Sequence, residues 1–206
     1  MSTITREEIR SRLKKGELVL TPLLSAKQIG DASVDVRLAN QFIVFRMHTF
    51  GHFQIAHDST SIRRMQERHV VQYGKPFVLH PGMLALGSTL EYVKLPNNLE
   101  SQVEGRSSWA RLGLEIATAT SIEPGFQGVV TLELSNVGTI PLELFPGVRI
   151  AQLVFRTAAP EVERPYSDDG RMRRKYRFPI GPEFSKLPDD RDAHVFRASP
   201  DLVEKK

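Results

Sequence analysis

Apolar and polar residues alternate along most of this chain with the period of short β-strands. In residues 33–38, three apolar side chains alternate with polar ones, as in a strand with one buried face. Segments of similar strand-like composition follow at 41–46, 76–79, 83–93, 129–136, 142–144 and 149–155. Pro-Gly dipeptides at 81–82 and 146–147 provide turns between strands. Many short strands with Gly and Pro turns predict a mainly β fold, a distorted jelly-roll or β-barrel.

The N-terminus has a different pattern, that of a helix. Thr5 and Glu8 match a capping box, Ile9 and Leu13 share one helical face, and Gly16 provides a stop. Residues 57–74 are polar and predict a long loop or a short helix. From residue 161 the chain is rich in Pro and charged residues and poor in aliphatic ones. We therefore predict a β-barrel domain with an N-terminal helix at 1–160, followed by a C-terminal segment and tail at 161–206.

The composition excludes several types of catalytic or metal site and indicates where in the cell the protein is located. The 206 residues include no Cys, which excludes disulfides, thiolate nucleophiles and Cys-based zinc sites. His48, His52 and His57 cluster in sequence, but no carboxylate-rich set accompanies them, so we predict no metal site. Without an apolar run of about 20 residues or a signal-peptide pattern, we expect a soluble, cytoplasmic protein with no membrane partner.

Charge alone leaves the partner open. The formal net charge is +4, from 28 basic against 24 acidic residues, and much of the visible excess lies at 171–177. Such a basic run is compatible with a solvated surface, a small polyphosphate or nucleic acid. Steeply salt-dependent binding would indicate nucleic acid.

Residues 104–114 form the densest candidate site. Arg106, Ser107, Ser108 and Arg111 could hold phosphate oxygens through guanidinium groups, hydroxyls and the N–H groups of a helix start. The alternative is an ordinary Ser-capped turn with surface Arg residues. The segment is not a P-loop, because the Gly-Lys-Ser/Thr ending is missing.

A second candidate is the strand at 129–136 with the turn before it. In an extended strand, one face carries Val130, Leu132 and Leu134, and the other carries Thr131, Glu133 and Ser135. Glu133 is therefore a mid-strand carboxylate flanked by hydroxyls. In a partly desolvated cleft it could transfer protons, whereas on an edge strand it would only face solvent.

Together these segments resemble the dCTP deaminase branch of the dUTPase superfamily, over roughly residues 5–178. The motifs are Gly105-Arg106-Ser107-Ser108-Trp109-Ala110-Arg111-Leu112-Gly113-Leu114, Ile122-Glu123-Pro124-Gly125-Phe126, Thr131-Leu132-Glu133-Leu134 with Asn136, and Pro146-Gly147 with Gln152-Leu153. Similar segments stand at 30–38, 80–82, 164–166 and 175–176.

The resemblance implies a homotrimer of dUTPase-like jelly-roll subunits with shared active sites, which deaminates dCTP to dUTP and ammonia without zinc. The deoxycytidine nucleotide would arrive as its Mg²⁺ complex, and no nucleic acid is implied as a partner. Glu133 would be the general base and acid, while Arg111, Ser107 and the backbone of Ala119 would hold the water and the developing charge. Nucleotide contacts would come from Arg106, Ser107, Ser108, Arg111, Glu123, Thr131, Leu132 and Gln152, with Tyr166 and Lys175 closing over the phosphates.

The sequence departs from the family pattern at three places. The loop 115–120 is one residue shorter, Glu123 replaces the usual Asp, and 178–180 is Phe-Pro-Ile where the family has a nucleotide-reading Gln. Because the longer Glu123 would misplace a carboxylate oxygen, we expect deamination without efficient diphosphate release. The departures suggest two alternatives, a modified deoxycytidine substrate and a weakly catalytic nucleotide-binding regulator. A bifunctional deaminase and dUTP diphosphatase also stays open.

Overall fold

The computed structural model describes residues 2–46, 65–116, 121–158, 160, 161, 166, 176 and 178–187. The helices are α1 (Arg6–Lys15) and the single turn α2 (Ser107–Ala110), with a 3-10 turn at Ala26–Gln28. The strands are β1 (Val19–Thr21), β2 (Ser33–Arg37), β3 (Gln41–Phe45), β4 (Gln66–Val70), β5 (Phe77–Leu79), β6 (Leu84–Lys94), β7 (Leu99–Gly105), β8 (Leu114–Ile116), β9 (Ser121–Ile122), β10 (Gln127–Asn136), β11 (Leu142–Leu144) and β12 (Arg149–Thr157).

The strands form two main sheets that share one apolar core. A six-stranded sheet has the order β4-β3-β6-β10-β8, with β1 also paired to β6, and a four-stranded sheet has the order β2-β12-β7-β9. The pair β5–β11 forms a separate ribbon. Side chains from both sheets, such as Val36, Leu132 and Phe155, are completely buried in the same core. The predicted mainly β fold is confirmed, although the described strands form separate sheets instead of one closed barrel.

Helix α1 is present where the sequence predicts it, but its predicted capping box is wrong. Ile9 is fully buried, and Gly16 ends the helix in the left-handed conformation with φ of 72°. Thr5 is the N-cap residue, yet its side chain makes no capping hydrogen bond. Glu8 instead accepts a 2.7 Å hydrogen bond from Arg12, because residues four apart on a helix are neighbours and opposite charges attract. No described helix has the length and apolar character that a membrane span requires.

The prediction of a loop or short helix is wrong for residues 66–70, which form β4. This strand pairs antiparallel with β3, from Gln41 opposite Val70 to Phe45 opposite Gln66. It lies at the edge of the sheet, where charged residues are tolerated because one side and one face meet water. The polar composition that suggests a loop is therefore that of an edge strand.

Strand β10 has the two faces that the sequence predicts. Its residues alternate between half-buried and buried along the whole strand, with Thr131 and Glu133 half-buried. The pairing with β6 is interrupted between Val129 and Thr131. At this bulge the N–H of Val130 donates to the hydroxyl of Thr89 at 2.9 Å, which satisfies a buried donor that would otherwise lack a partner.

Candidate active site

A cleft of about 430 Å³ lies over the six-stranded sheet, on the face that carries Thr131 and Glu133. Its walls combine apolar side chains with a few polar groups, as in small-molecule sites. The lining residues are Phe45, Gln66, Leu86, Ser121, Ile122, Glu123, Phe126, Val129, Val130, Thr131, Glu133, Tyr166, Tyr176, Pro179, Glu183 and Ser185. The structure thus brings together four of the predicted site residues: Glu123, Thr131, Glu133 and Tyr166.

One side of the cleft is formed by residues 178–187, here called the C-terminal strap. Beside β10, the N–H of Val129 donates to the carbonyl oxygen of Pro179 at 2.8 Å. The N–H of Glu183 donates to the hydroxyl of Thr131 at 3.3 Å. The strap can approach so closely because residue 128 is Gly: a Cβ there would lie 2.3 Å from the ring of Pro179.

The strap continues across the sheet to its edge strand β4. The guanidinium of Arg68 donates to the carbonyl oxygen of Pro182 at 3.2 Å and lies 5.5 Å from the ring centroid of Phe184. Arg68 also donates to Gln41 at 2.9 Å. The strap is therefore attached to both β10 and β4, with the cleft beneath it.

Tyr166 and Tyr176 connect the strap to the turn before β10. The N–H of Tyr166 donates to the carbonyl oxygen of Pro124 at 2.8 Å, and its ring centroid lies 5.7 Å from that of Phe126. Its hydroxyl accepts from the N–H of Tyr176 at 3.2 Å, and the hydroxyl of Tyr176 accepts from the N–H of Lys186 at 3.1 Å. This chain of contacts forms the end of the cleft near Glu123.

The predicted phosphate-binding group lies outside this cleft. Arg106 is half-buried, with its Nε 3.4 Å from Asp35 and its Nη1 donating to the carbonyl oxygen of Arg149 at 3.1 Å. Ser107, Ser108 and Arg111 are exposed on or beside α2, which is a helix of only four residues. The chain therefore presents Glu133 and the Arg-Ser group at two separate surfaces.

Gln152 and Leu132 also do not point into the cleft. The amide of Gln152 donates to Glu104 at 3.2 Å and accepts from Ser33 at 3.2 Å, within the four-stranded sheet. Leu132 is fully buried in the core, so only its main chain could meet a nucleotide. Ala119, Lys175, the three clustered His residues and all of the basic run 171–177 except Tyr176 lie outside the described residues.

Gln66, Phe45 and Glu183 line the cleft, although the sequence indicates none of them as a site residue. Tyr176, which also lines it, lies in the segment 175–176 that resembles the family. Gln66 and Phe45 face each other across the β3–β4 pair, and no local pattern marks either as a site residue. Their position depends on the pairing of two strands that are well separated in the chain. Within the described ranges, no three His, Cys, Asp or Glu side chains are grouped so that they could hold a metal ion.

Comparison with known proteins supports the motifs. A family model described as dCTP deaminase-like matches residues 3–158. A protein of Methanosphaera stadtmanae named "dCTP deaminase, dUMP-forming" is 40% identical over 193 residues, which cover 93% of this chain and 97% of the relative. The "dCTP deaminase" of Natronomonas pharaonis is 42% identical over 190 residues, 90% of this chain and 94% of the relative.

A solved structure agrees on the fold. The 2'-deoxycytidine 5'-triphosphate deaminase from Agrobacterium tumefaciens superimposes with a TM-score of 0.59 and 23% identity, covering 75% of this chain and 48% of that chain. The matched part of the present chain thus spans about half the length of that protein. Because the family model covers most of the chain and the relatives match along nearly their whole length, this chain is an enzyme that belongs to the dCTP deaminase-like family.

Proposed function

We propose that this protein hydrolyses the 4-amino group of a deoxycytidine nucleotide, with dCTP as substrate and ammonia as product. The observation that carries the proposal is the position of Glu133, a carboxylate in the middle of a strand that lines the cleft. The apolar side chains of Leu86, Ile122 and Phe126 line the same cleft and suit the faces of a pyrimidine ring.

In this proposal Glu133 transfers the protons of the reaction. It takes a proton from the attacking water as the oxygen bonds to C4, and it delivers that proton to the ring nitrogen N3. The hydroxyl group at C4 then gives its proton to Glu133, which passes it to the amino group. The C4–N bond breaks, ammonia leaves, and C4 becomes a carbonyl. General acid–base catalysis by a positioned side chain typically contributes 10²–10⁴-fold to the rate.

The groups that hold the triphosphate come from a second copy of the chain in a homotrimer. Ser107, Ser108 and Arg111 are exposed and lie outside the cleft that Glu133 lines. Leu112, beside them, is 51% exposed, as expected for a surface that another subunit covers. Arg111 of a neighbouring subunit would then stabilise the charge that develops at C4.

We propose that the reaction uses magnesium bound to the substrate and no zinc. Magnesium would arrive with the nucleotide, bound to phosphate oxygens, since it needs few protein ligands. The chain has no Cys, and we propose that the carboxylate of Glu133 activates water without zinc.

A second candidate function, release of diphosphate to give dUMP, is favoured by the names of the relatives. Proteins of Methanosphaera stadtmanae and Methanobrevibacter smithii, 40% and 39% identical, are both named "dCTP deaminase, dUMP-forming". Glu123 is the carboxylate for this step, because it lines the cleft at the turn before β10. Glu123 is one methylene longer than the usual Asp, so we expect dUTP to leave the site faster than it is hydrolysed.

Incubation of the purified protein with dCTP and Mg²⁺, in buffer freed of zinc, tests both steps. Ammonia, dUTP, dUMP and diphosphate are followed together. Ammonia with dUTP supports deamination alone, and ammonia with dUMP and diphosphate supports the second candidate. Tight binding of dCTP without ammonia would contradict the proposed reaction and favour a nucleotide-binding regulator.

The chain offers a matched pair of variants for the role of Glu133. Glu133→Gln is expected to lower kcat by 10²–10⁴-fold, since Gln cannot accept the proton. Glu143 lies in the same local sequence, Leu-Glu-Leu, but on the exposed face of β11. Glu143→Gln should therefore leave kcat unchanged, and ammonia release by Glu133→Gln at the wild-type rate would exclude this mechanism.

A further inference from the structure

Gln66 at the start of β4 has a polar side chain that is buried without a partner. Its side chain lines the cleft, and the residue is only 6% exposed. Neither Nε2 nor Oε1 has a hydrogen-bond partner among the described residues. A buried polar group left unpaired destabilises the folded protein, and a Leu at this position would avoid that destabilisation. Because Gln66 lines the cleft, an amide left unpaired beside it indicates that a polar group of a ligand pairs with this side chain.

The strand pairing places Gln66 at the end of the cleft beyond Glu133. Glu133 lies opposite Leu86 of β6, which lies opposite Ile43 of β3, and β4 is the next strand. Three steps of about 4.8 Å separate β10 from β4, and Gln66 lies two residues along β4 from Arg68, the residue opposite Ile43. The two residues therefore stand somewhat more than about 14 Å apart in a flat sheet. This distance exceeds the width of a pyrimidine ring.

The other end of the cleft fixes the direction of the nucleotide. Glu123 and Tyr166 line that end, and under the proposed function they lie near the sugar and phosphates. In cytosine, C4 lies across the ring from N1, which carries the sugar. The C4 end of the ring then points away from Tyr166, and with N3 turned to Glu133 for the proton transfer, C5 is left facing the side of Gln66.

We propose that Gln66 is a specificity-determining residue that hydrogen-bonds to a polar substituent at the 5-position of the pyrimidine. The proposal rests on the proposed function and names its substrate class: deoxycytidine nucleotides that carry a donor or acceptor at C5. An amide can both donate and accept, so it suits a hydroxymethyl group. With unsubstituted dCTP, a water molecule between C5 and the amide of Gln66 occupies the position of the 5-substituent.

Two nucleotides that differ only at this substituent test the proposal. The wild-type protein should deaminate 5-hydroxymethyl-dCTP with a higher kcat/KM than 5-methyl-dCTP, because a methyl group leaves the amide unpaired. Gln66→Leu should reverse the order, changing the ratio of the two kcat/KM values by about tenfold or more. The ratio for dCTP against CTP, which differ at the sugar, should stay the same.

Further measurements separate recognition from a structural role. Glu67→Gln changes the next residue of β4, whose side chain points to the other face of the sheet, and should leave both ratios unchanged. Gln66→Leu should also raise the Tm of the nucleotide-free protein, since it removes the unpaired amide. An unchanged preference between the two 5-substituted nucleotides in Gln66→Leu would overturn the proposal, as would a lower Tm together with equal losses on every substrate.

Measurements of nucleotide binding test the role of Gln66 separately from the proposed deamination. The dissociation constants of both 5-substituted nucleotides are measured with Glu133→Gln, and with the double variant Glu133→Gln/Gln66→Leu. If no nucleotide releases ammonia but Gln66→Leu still reverses the binding order, the proposed reaction fails and the role of Gln66 stands. If ammonia is released but the order of binding is unchanged, the role of Gln66 fails and the reaction stands.

Discussion

At the scale of single residues, identical local sequences have different surroundings. The Leu-Glu-Leu of β10 and the Leu-Glu-Leu of β11 both bury their Leu side chains. Glu133 faces a cleft under the C-terminal strap, whereas Glu143 is exposed. The strap that covers Glu133 therefore distinguishes this candidate general base from the surface carboxylate of Glu143. The variants Glu133→Gln and Glu143→Gln measure how much each carboxylate contributes to kcat.

A third carboxylate, Glu91 on β6, is completely buried. Its Oε1 accepts from the side-chain amide of Gln28 at 2.9 Å, and its Oε2 accepts from the N–H of Arg37 at 2.8 Å. Burial raises the pKa of Glu91 above its ordinary value of 4.5, and the hydrogen bonds from Arg37 and Gln28 oppose that rise only in part. The native state therefore keeps the Glu91 proton to a higher pH than the unfolded chain does.

The raised pKa of Glu91 predicts a pH dependence of stability. Between 4.5 and the raised native pKa, the native state binds more protons than the unfolded state, so the free energy of unfolding falls as the pH rises through this window. A tenfold difference in proton affinity between the two states corresponds to about 1.4 kcal/mol. The advantage of the wild type over Glu91→Gln should be greatest at the acidic end and shrink above it.

Urea unfolding at several pH values checks this prediction. Glu143→Gln, on the exposed strand β11, serves as the control and should follow the wild type at every pH. A difference between the wild type and Glu91→Gln that is constant across the window, or that grows with pH, would contradict the prediction.

At the scale of elements, the cleft depends on the approach of the C-terminal strap to β10. Gly128 has φ of 148° and lies against Pro179 with no room for a Cβ. At the edge strand β4 of the same sheet, Arg68 contacts the strap at Pro182 and Phe184. One small residue and one cation thus hold the strap at two places, near its start and in its middle.

Gly128→Ala should detach the strap from β10. The added Cβ would lie 2.3 Å from Pro179, so either the strap or the strand must move. We expect the amide of Val129, which donates to Pro179, to exchange its hydrogen at least about tenfold faster. Hydrogen exchange followed by NMR or mass spectrometry measures this.

Gly74→Ala is the matched control for this change. Gly74 also has a positive φ, of 85°, but nothing lies within 4 Å of the position of its Cβ. It therefore carries the backbone strain without the clash. Equal protection of Val129 in Gly128→Ala and in the wild type would show that the contact with Pro179 does not hold the strap.

At the scale of the whole molecule, the separation of the two candidate surfaces predicts complementation between subunits. Glu133→Gln and Arg111→Ala should each be inactive alone if every site combines Glu133 of one copy with Arg111 of the next. In randomly mixed trimers, about one quarter of the sites would pair an intact Glu133 with an intact Arg111. Co-expression of the two variants should therefore restore about a quarter of the wild-type ammonia release.

The size of the assembly provides an independent check. One chain has a mass of 23.2 kDa. Light scattering or analytical ultracentrifugation of the wild type should give three times this mass. A fully active monomer, or mixed variants that stay inactive while their trimers form, would contradict shared sites.

The sequence predicted those parts of the protein that depend on local pattern. Alternation placed Glu133 and Thr131 on one face of β10, and Ile9 and Gly16 marked the face and end of α1. Glycine and proline turns indicated a β fold, and the motifs around Arg106 and Glu133 indicated the family, which the comparisons confirm. Each of these signals lies within a few residues, because strand periodicity, helix ends and short motifs are local properties.

Only the tertiary structure decided which of these residues share a site. The sequence grouped Arg106, Gln152 and Glu133 as one nucleotide site, whereas within one chain only Glu133 of the three lines the cleft. It did not indicate Gln66, because the polar edge strand β4 resembles a loop until β3 supplies its hydrogen-bond partners. Strand pairing joins residues that are far apart in the chain, and their contact follows from register and burial in the folded molecule and not from any local pattern.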